Sequence, residues 1–240
     1  MNFPLNPRII FRSLFLFIII LLVANISVIY IYMNYYIENG IWSNNDYVKI
    51  VINLFDFNTE KNVPTFYSSL ALLFSSILLF LIALKNKKKN LTYLSWVGLA
   101  IIFCYLSLDE ILELHEHLVH LTRNFLNLSG MGTAYWTIPY LILIILLGAV
   151  YFKFLMTLPK KTLKFFLIAG AVFLTGAVGL ELIGGRVQEL YSIPTPKSFD
   201  SSHNVLFKIL YTCEEFLEML GIIIFIYALT SYKTFTIKIE

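Results

Sequence analysis

The stretch Ser107–His120, S-L-D-E-I-L-E-L-H-E-H-L-V-H, holds Asp109, Glu110, Glu113 and Glu116 together with His115, His117 and His120. Carboxylates and imidazoles bind divalent metals and move protons, so this density marks either a site or a helix end entering water. Two further acidic groups stand far away in the chain: Glu181 in G-A-V-G-L-E-L-I-G-G, and Glu214, Glu215 and Glu218 in C-E-E-F-L-E-M-L-G. Each group lies in or at the end of an apolar run, where an ionised side chain costs about 2.5–3.5 kcal/mol at a helix centre. Glu214, Glu215 and Glu218 have apolar sequence on both sides, so no solvated helix end accounts for them.

On one continuous helix, Asp109, Glu113, Glu116 and His120 share a stripe, and Glu110, Glu113 and His117 share an overlapping one. Only His115 points elsewhere. The metal-ligand candidates are Asp109, Glu113, Glu116, His117, Glu181, Glu214 and Glu218; the acid–base candidates are Glu110, Glu215, His115 and His120. Carboxylate with imidazole suits iron, manganese or zinc ahead of calcium or magnesium. The bases nearest these spans are Lys208, Arg186 and Arg123, too few for eight acids, so either several carboxyls hold protons or a cation holds the carboxyls. Soluble di-iron bundles use Glu-x-x-His on two helices, and that spacing does not occur; Glu-x-x-x-His occurs as Glu113–His117 and Glu116–His120. There is no HExxH, Gly-x-Ser-x-Gly or P-loop.

The elements that must position these groups follow from composition. The 240 residues are 58% hydrophobic and 14% charged, with a mean hydropathy of +0.76. A soluble domain carries roughly 25% charge, so the expected fold is an all-α, polytopic membrane bundle with the lipid bilayer as its main partner. Six apolar segments are long enough to span: 9–33, 65–84, 91–112, 136–155, 163–185 and 205–232. The first is too long for a signal-peptide core. No repeat or composition break divides the chain, so 1–240 is expected as one domain. The link 34–64 contains Tyr47–Asn58, whose mixed pattern fits an interfacial helix.

Placing the amino terminus inside puts 12 of the 18 basic residues on the cytoplasmic side, and both termini with them. Every acid except Glu240, and all four histidines, then fall outside or in the outer part of a span. The net charge of +3 reflects this topology and gives no sign of nucleic-acid binding. Cys104 and Cys213 lack any redox or disulfide spacing and fit small apolar core positions. In segment 163–185, Ala171, Thr175 and Gly179 make one small-residue stripe, and Ala177, Glu181 and Gly185 make another. Gly221 shares a face with Glu214 and Glu218, so helices are expected to pack closely around the acids.

The series S-L-D-E…H-E, then L-E-x-x-G-G, then E-E-x-x-E-M-x-G resembles a bacterial family of uncharacterised multispan inner-membrane proteins. The resemblance covers roughly Leu91–Leu229 and carries no known activity. It implies an inner-membrane location and adds His115 to Asp109, Glu110, Glu116, Glu181, Glu214, Glu215 and Glu218 as the polar signature.

Three functions fit. The first is an outward-facing carboxylate/histidine centre for a divalent metal ion, serving an enzyme that acts on a lipid-soluble or periplasmic substrate. The second is a cation or proton channel or transporter; the inner halves of the last two spans lack ionisable groups, and Ser68, Ser69, Ser75 and Ser76 offer only a weak polar line. The third is a structural, sensory or accessory protein. Substrate, homo-oligomeric state and partner proteins leave no trace in the sequence.

Overall fold

A computed structural model describes residues 2–4, 6–37, 46–89, 91–115, 117, 122, 134, 137–191, 205–233 and 235–238. Its elements are β1 (Asn2–Pro4), α1 (Pro7–Ile31) continuing as a π-helical turn (Tyr32–Ile37), α2 (Asp46–Phe55), α3 (Val63–Lys87) and α4 (Leu94–Leu112). Then come α5 (Thr137–Met156), α6 (Lys160–Leu174), a π-helical segment (Thr175–Leu180), α7 (Glu181–Leu190), α8 (Val205–Tyr232) and β2 (Thr236–Lys238). Among the described residues the regular structure is helical except where β1 pairs antiparallel with β2, Asn2 opposite Lys238. That pairing brings both ends of the chain to one end of the bundle, here the terminal end. The link between α2 and α3 lies at the other, the loop end.

Local chemistry sets the helix boundaries. The Asn6 side chain accepts the Arg8 N–H at 3.0 Å with Pro7 in the first turn of α1. Asn62 does the same for Thr65 at 3.0 Å with Pro64 in the first turn of α3. Both follow the preference for Asn caps and for proline where no N–H partner is needed. Lys85 and Lys87 close α3, favourable at the negative end of the helix dipole. Five helical stretches are long and apolar enough to cross a membrane: Pro7–Asn34, Val63–Lys87, Leu94–Leu112, Thr137–Met156 and Lys160–Leu190. α8 is 28 residues long but carries Lys208, Glu214, Glu215 and Glu218.

α3 and α4 are joined by hydroxyls. The Ser69 hydroxyl donates to the Ser107 carbonyl at 2.8 Å, Ser107 returns the bond to Ser69 at 2.9 Å, and Ser76 donates to Ala100 at 2.7 Å. Ser69 and Ser76, two members of the serine line on α3, therefore fasten helices together.

α8 packs against α1, α3, α6 and α7. Towards the terminal end the core is aromatic: Trp96 stacks on Tyr232 at 5.0 Å and meets Phe154 edge-on at 5.1 Å. Phe225 lies between Phe103 at 4.5 Å and Phe166 at 4.6 Å.

α2 buries Ile52 against Val28 and Tyr32 while exposing Tyr47, Ile50, Val51 and Leu54. The strap 56–62 that follows is tied into the bundle by Asn25, which is fully buried. Asn25 accepts the Phe57 N–H at 2.9 Å and donates to the Thr212 hydroxyl at 2.9 Å.

Candidate functional site

The acidic groups of α4, α7 and α8 come together in the loop half of the bundle. The Glu218 carboxyl lies within electrostatic reach of Glu215, Glu110, Glu214 and Glu181, and Glu110 within reach of Asp109 and Glu60. Asp109, Glu181 and Glu214 are buried, whereas Glu110, Glu215 and Glu218 are half-buried. Glu110, Glu181, Glu214, Glu215 and Glu218 thus form one acidic cluster shared by α4, α7 and α8, while Asp109 turns to Tyr140 and His115.

Two glycines make this convergence possible. A Cβ on Gly176 would sit 2.7 Å from the Glu214 carbonyl oxygen and 3.1 Å from Glu218 Cγ. One on Gly221 would sit 2.7–2.9 Å from Phe173 Cβ, N and Cα. The close approach of small residues expected from the sequence is therefore present, but at Gly176 rather than along Ala171, Thr175 and Gly179. Ala171 and Thr175 are exposed, while Ala177, Glu181 and Gly185 are buried. The reason is the π-helical segment Thr175–Leu180, which inserts a residue into the turn immediately before Glu181 and rotates the stripe.

The histidine stretch departs from a continuous helix. α4 ends at Leu112, and Glu113 caps it in the left-handed conformation at φ 55°, which breaks the stripe that would join Asp109 to Glu116 and His120. The chain then turns back, and His115 meets Asp109: its backbone N–H donates to Oδ1 at 2.8 Å and its Nδ1 lies 3.5 Å from Oδ2. Of the two described histidines, His115, which helical spacing excludes, is the one that reaches Asp109. His117 is exposed, with Nδ1 2.8 Å from the Glu113 carbonyl. Glu113 pairs with Lys61 at 2.9 Å and is not among the acids that cluster around Glu218. Glu116 and His120 lie outside the described residues.

Several participants carry no sequence signal. Tyr140 of α5 donates to Asp109 Oδ2 at 2.9 Å and meets the Tyr105 hydroxyl at 3.1 Å. Glu60 and Lys61 come from the strap, so one end of it is clasped to α4 while Asn25 holds the other to α1 and α8. Lys61 and Glu113, which form that clasp, are the non-glycine residues with positive φ among the described residues. Asp56, at the hinge of the strap, is 1% exposed and near Lys208 and Tyr211. Burial pushes its carboxyl above the ordinary value of 3.8, against the lowering effects of the Asn58 N–H, Lys208 and Tyr211. Lys208 itself lies 4.9 Å from the centre of the Tyr32 ring. Cys104 and Cys213 are free, and Cys213 is exposed rather than a core residue.

Among the described residues, no three histidine, cysteine, aspartate or glutamate side chains are grouped closely enough to hold a metal ion as they stand. What the arrangement offers is a set of glutamates within electrostatic reach of one another, beside a hydrogen-bonded Tyr–Tyr–Asp–His chain.

Fold and site together define a helical protein with five helices long and apolar enough to cross a membrane and an acidic cluster in one half of the bundle. Its chain belongs to a family described as Domain of unknown function (DUF8692), whose model matches residues 13–232. This agrees with the resemblance to an uncharacterised family. No curated protein and no solved structure matches the chain.

Proposed function

We propose that this is a six-span inner-membrane protein with an outward-facing crevice that binds cations, protons and divalent metal ions competing for the same carboxyls. The carrying observation is the convergence of Glu110, Glu181, Glu214, Glu215 and Glu218 from three elements. Six crossings are supported by the β1–β2 pairing, because termini at one end require an even number and α8 supplies the sixth. Lys85, Lys87, Lys88, Lys89, Lys160 and Lys161 cluster at the terminal end, which supports placing that end in the cytoplasm.

The crevice reads as a basin rather than a conduit. Phe103 and Phe225 lie two helical turns, about 10 Å, to the terminal side of Glu110 and Glu218. Trp96, Phe154, Phe166 and Tyr232 continue the apolar layer. A basin fits acid–base or metal-assisted chemistry on a substrate that arrives from the bilayer or the outer face. Asp109 and His115 would then be the proton-handling pair, with Tyr140 holding Asp109 in place. A divalent ion would have to draw two or three flexible glutamates inward, and Glu181, Glu214 and Glu218 are the candidates.

The test is manganese binding to purified protein, together with cation flux in liposomes. The expected result is binding that strengthens as pH rises and is lost in Glu181→Gln and Glu218→Gln, with no flux. Flux that these variants abolish would replace the basin with a conduit. Absence of binding at every pH would remove the metal from the proposal.

A further inference from the structure

The Tyr105–Tyr140–Asp109–His115 chain has a direction that follows from donor and acceptor counting. Asp109 receives the His115 backbone N–H on Oδ1 and the Tyr140 hydroxyl on Oδ2. A phenol has one proton to donate. Tyr140 gives its proton to Asp109, so at the 3.1 Å contact between the hydroxyls Tyr105 is the donor and Tyr140 the acceptor. Tyr105 has then used its own proton, and its oxygen presents only lone pairs outward.

That oxygen lies on an apolar surface. Ile101, Tyr105, Leu108 and Leu112 fall at i, i+4, i+7 and i+11 on α4, which places them on one stripe. They are 65%, 42%, 51% and 51% exposed. α4 is among the helices long and apolar enough to span a membrane. The stripe is thus an alkyl-compatible track about 16 Å long, by helix rise, with the Tyr105 hydroxyl as its polar atom.

We infer that Tyr105 is the docking point for a lipid-soluble molecule bearing a hydroxyl donor, a long-chain alcohol or phenol, whose chain lies along Ile101, Leu108 and Leu112. The buried Asp109 carboxylate makes the site select donors over acceptors, acting through two tyrosines. This names a substrate class for the proposed function but rests only on the membrane placement of α4, not on cation binding.

The test uses two photoactivatable probes of equal chain length in membranes, one a terminal alcohol and the other its methyl ether, which can only accept. The alcohol should label the peptide containing Ile101–Leu112 about two- to ten-fold more, the ratio one net hydrogen bond supplies. Tyr105→Phe, a change at an exposed position, should equalise the probes. Tyr140→Phe should weaken the preference by freeing the Tyr105 proton. Asp109→Asn keeps an acceptor for His115 but donates to Tyr140, so it should reverse the chain and favour the ether. Equal labelling of the native protein, or a preference that survives Tyr105→Phe, overturns the proposal whatever the cation measurements give.

Discussion

Gly221→Ala tests whether helix proximity builds the crevice. The new methyl would lie 2.7–2.9 Å from three Phe173 atoms, two of them backbone, whereas ordinary contact begins near 3.4 Å. No rotamer change moves Phe173 N, Cα or Cβ, so α6 and α8 must separate by several tenths of an ångström. Such overpacking costs about 1–3 kcal/mol. Replacing a helical glycine by alanine returns up to about 1 kcal/mol, so a mid-range overpacking cost of about 2 kcal/mol leaves a net loss of about 1 kcal/mol.

Gly170→Ala on α6 is the control, since nothing lies within 4 Å of its Cβ position. It should gain up to about 1 kcal/mol from propensity alone. Thermal unfolding in one detergent should therefore move the two variants in opposite directions, by about 2–4 °C per kcal/mol for a chain of this size. Gly176→Ala, which meets the Glu214 carbonyl, should follow Gly221→Ala and also weaken cation binding. Equal melting temperatures for Gly221→Ala and Gly170→Ala would refute the claim that this contact is close-packed.

Other perturbations have defined signs. Asn25→Ala leaves the buried Phe57 N–H without its acceptor and should cost about 1–3 kcal/mol by chemical denaturation; an unchanged midpoint would mean the strap is not anchored there. Lys61→Ala removes a pair whose lysine is exposed and should cost no more than about 1 kcal/mol. Its signature is faster hydrogen exchange at Thr59–Asn62 with Phe57 still protected, and uniform exchange along the strap would contradict a hinge at Asn25. The raised pKa of Asp56 means the folded state holds this proton more tightly than the unfolded state. Its contribution to stability should therefore fall as pH rises from 3.8 through the folded value. The melting-temperature difference between native protein and Asp56→Asn should show that slope, and a rising or flat difference would contradict the burial effect.

The convergence of Glu110, Glu181, Glu214 and Glu218 was legible because charges inside apolar runs must be accounted for, and counting residues from each helix end put them at similar depth. Their packing glycines were legible only in kind. A period of 3.6 residues per turn selects Thr175 and Gly179, and the π-helical segment moves the contact to Gly176. The end of α4 was hidden because Glu113 takes a left-handed conformation with no glycine or proline to announce it; the Lys61 clasp, which supports it, comes from a distant loop. Tyr105 and Tyr140 were invisible among 15 tyrosines, since a phenol becomes informative only through its partner. Glu60 and Asp56 carry no pattern that sets them apart in sequence, because their neighbours come from α4 and α8.

Carbodiimide labelling at Glu218 addresses the crevice most directly, because the reagent attacks protonated carboxyls from the lipid phase. If these acids act as one cation-binding site, Glu218 should be labelled at neutral pH. Labelling should slow as pH rises or manganese is added, and vanish in Glu218→Gln. Absence of labelling at all five carboxyls, or labelling indifferent to both pH and manganese, would contradict the account.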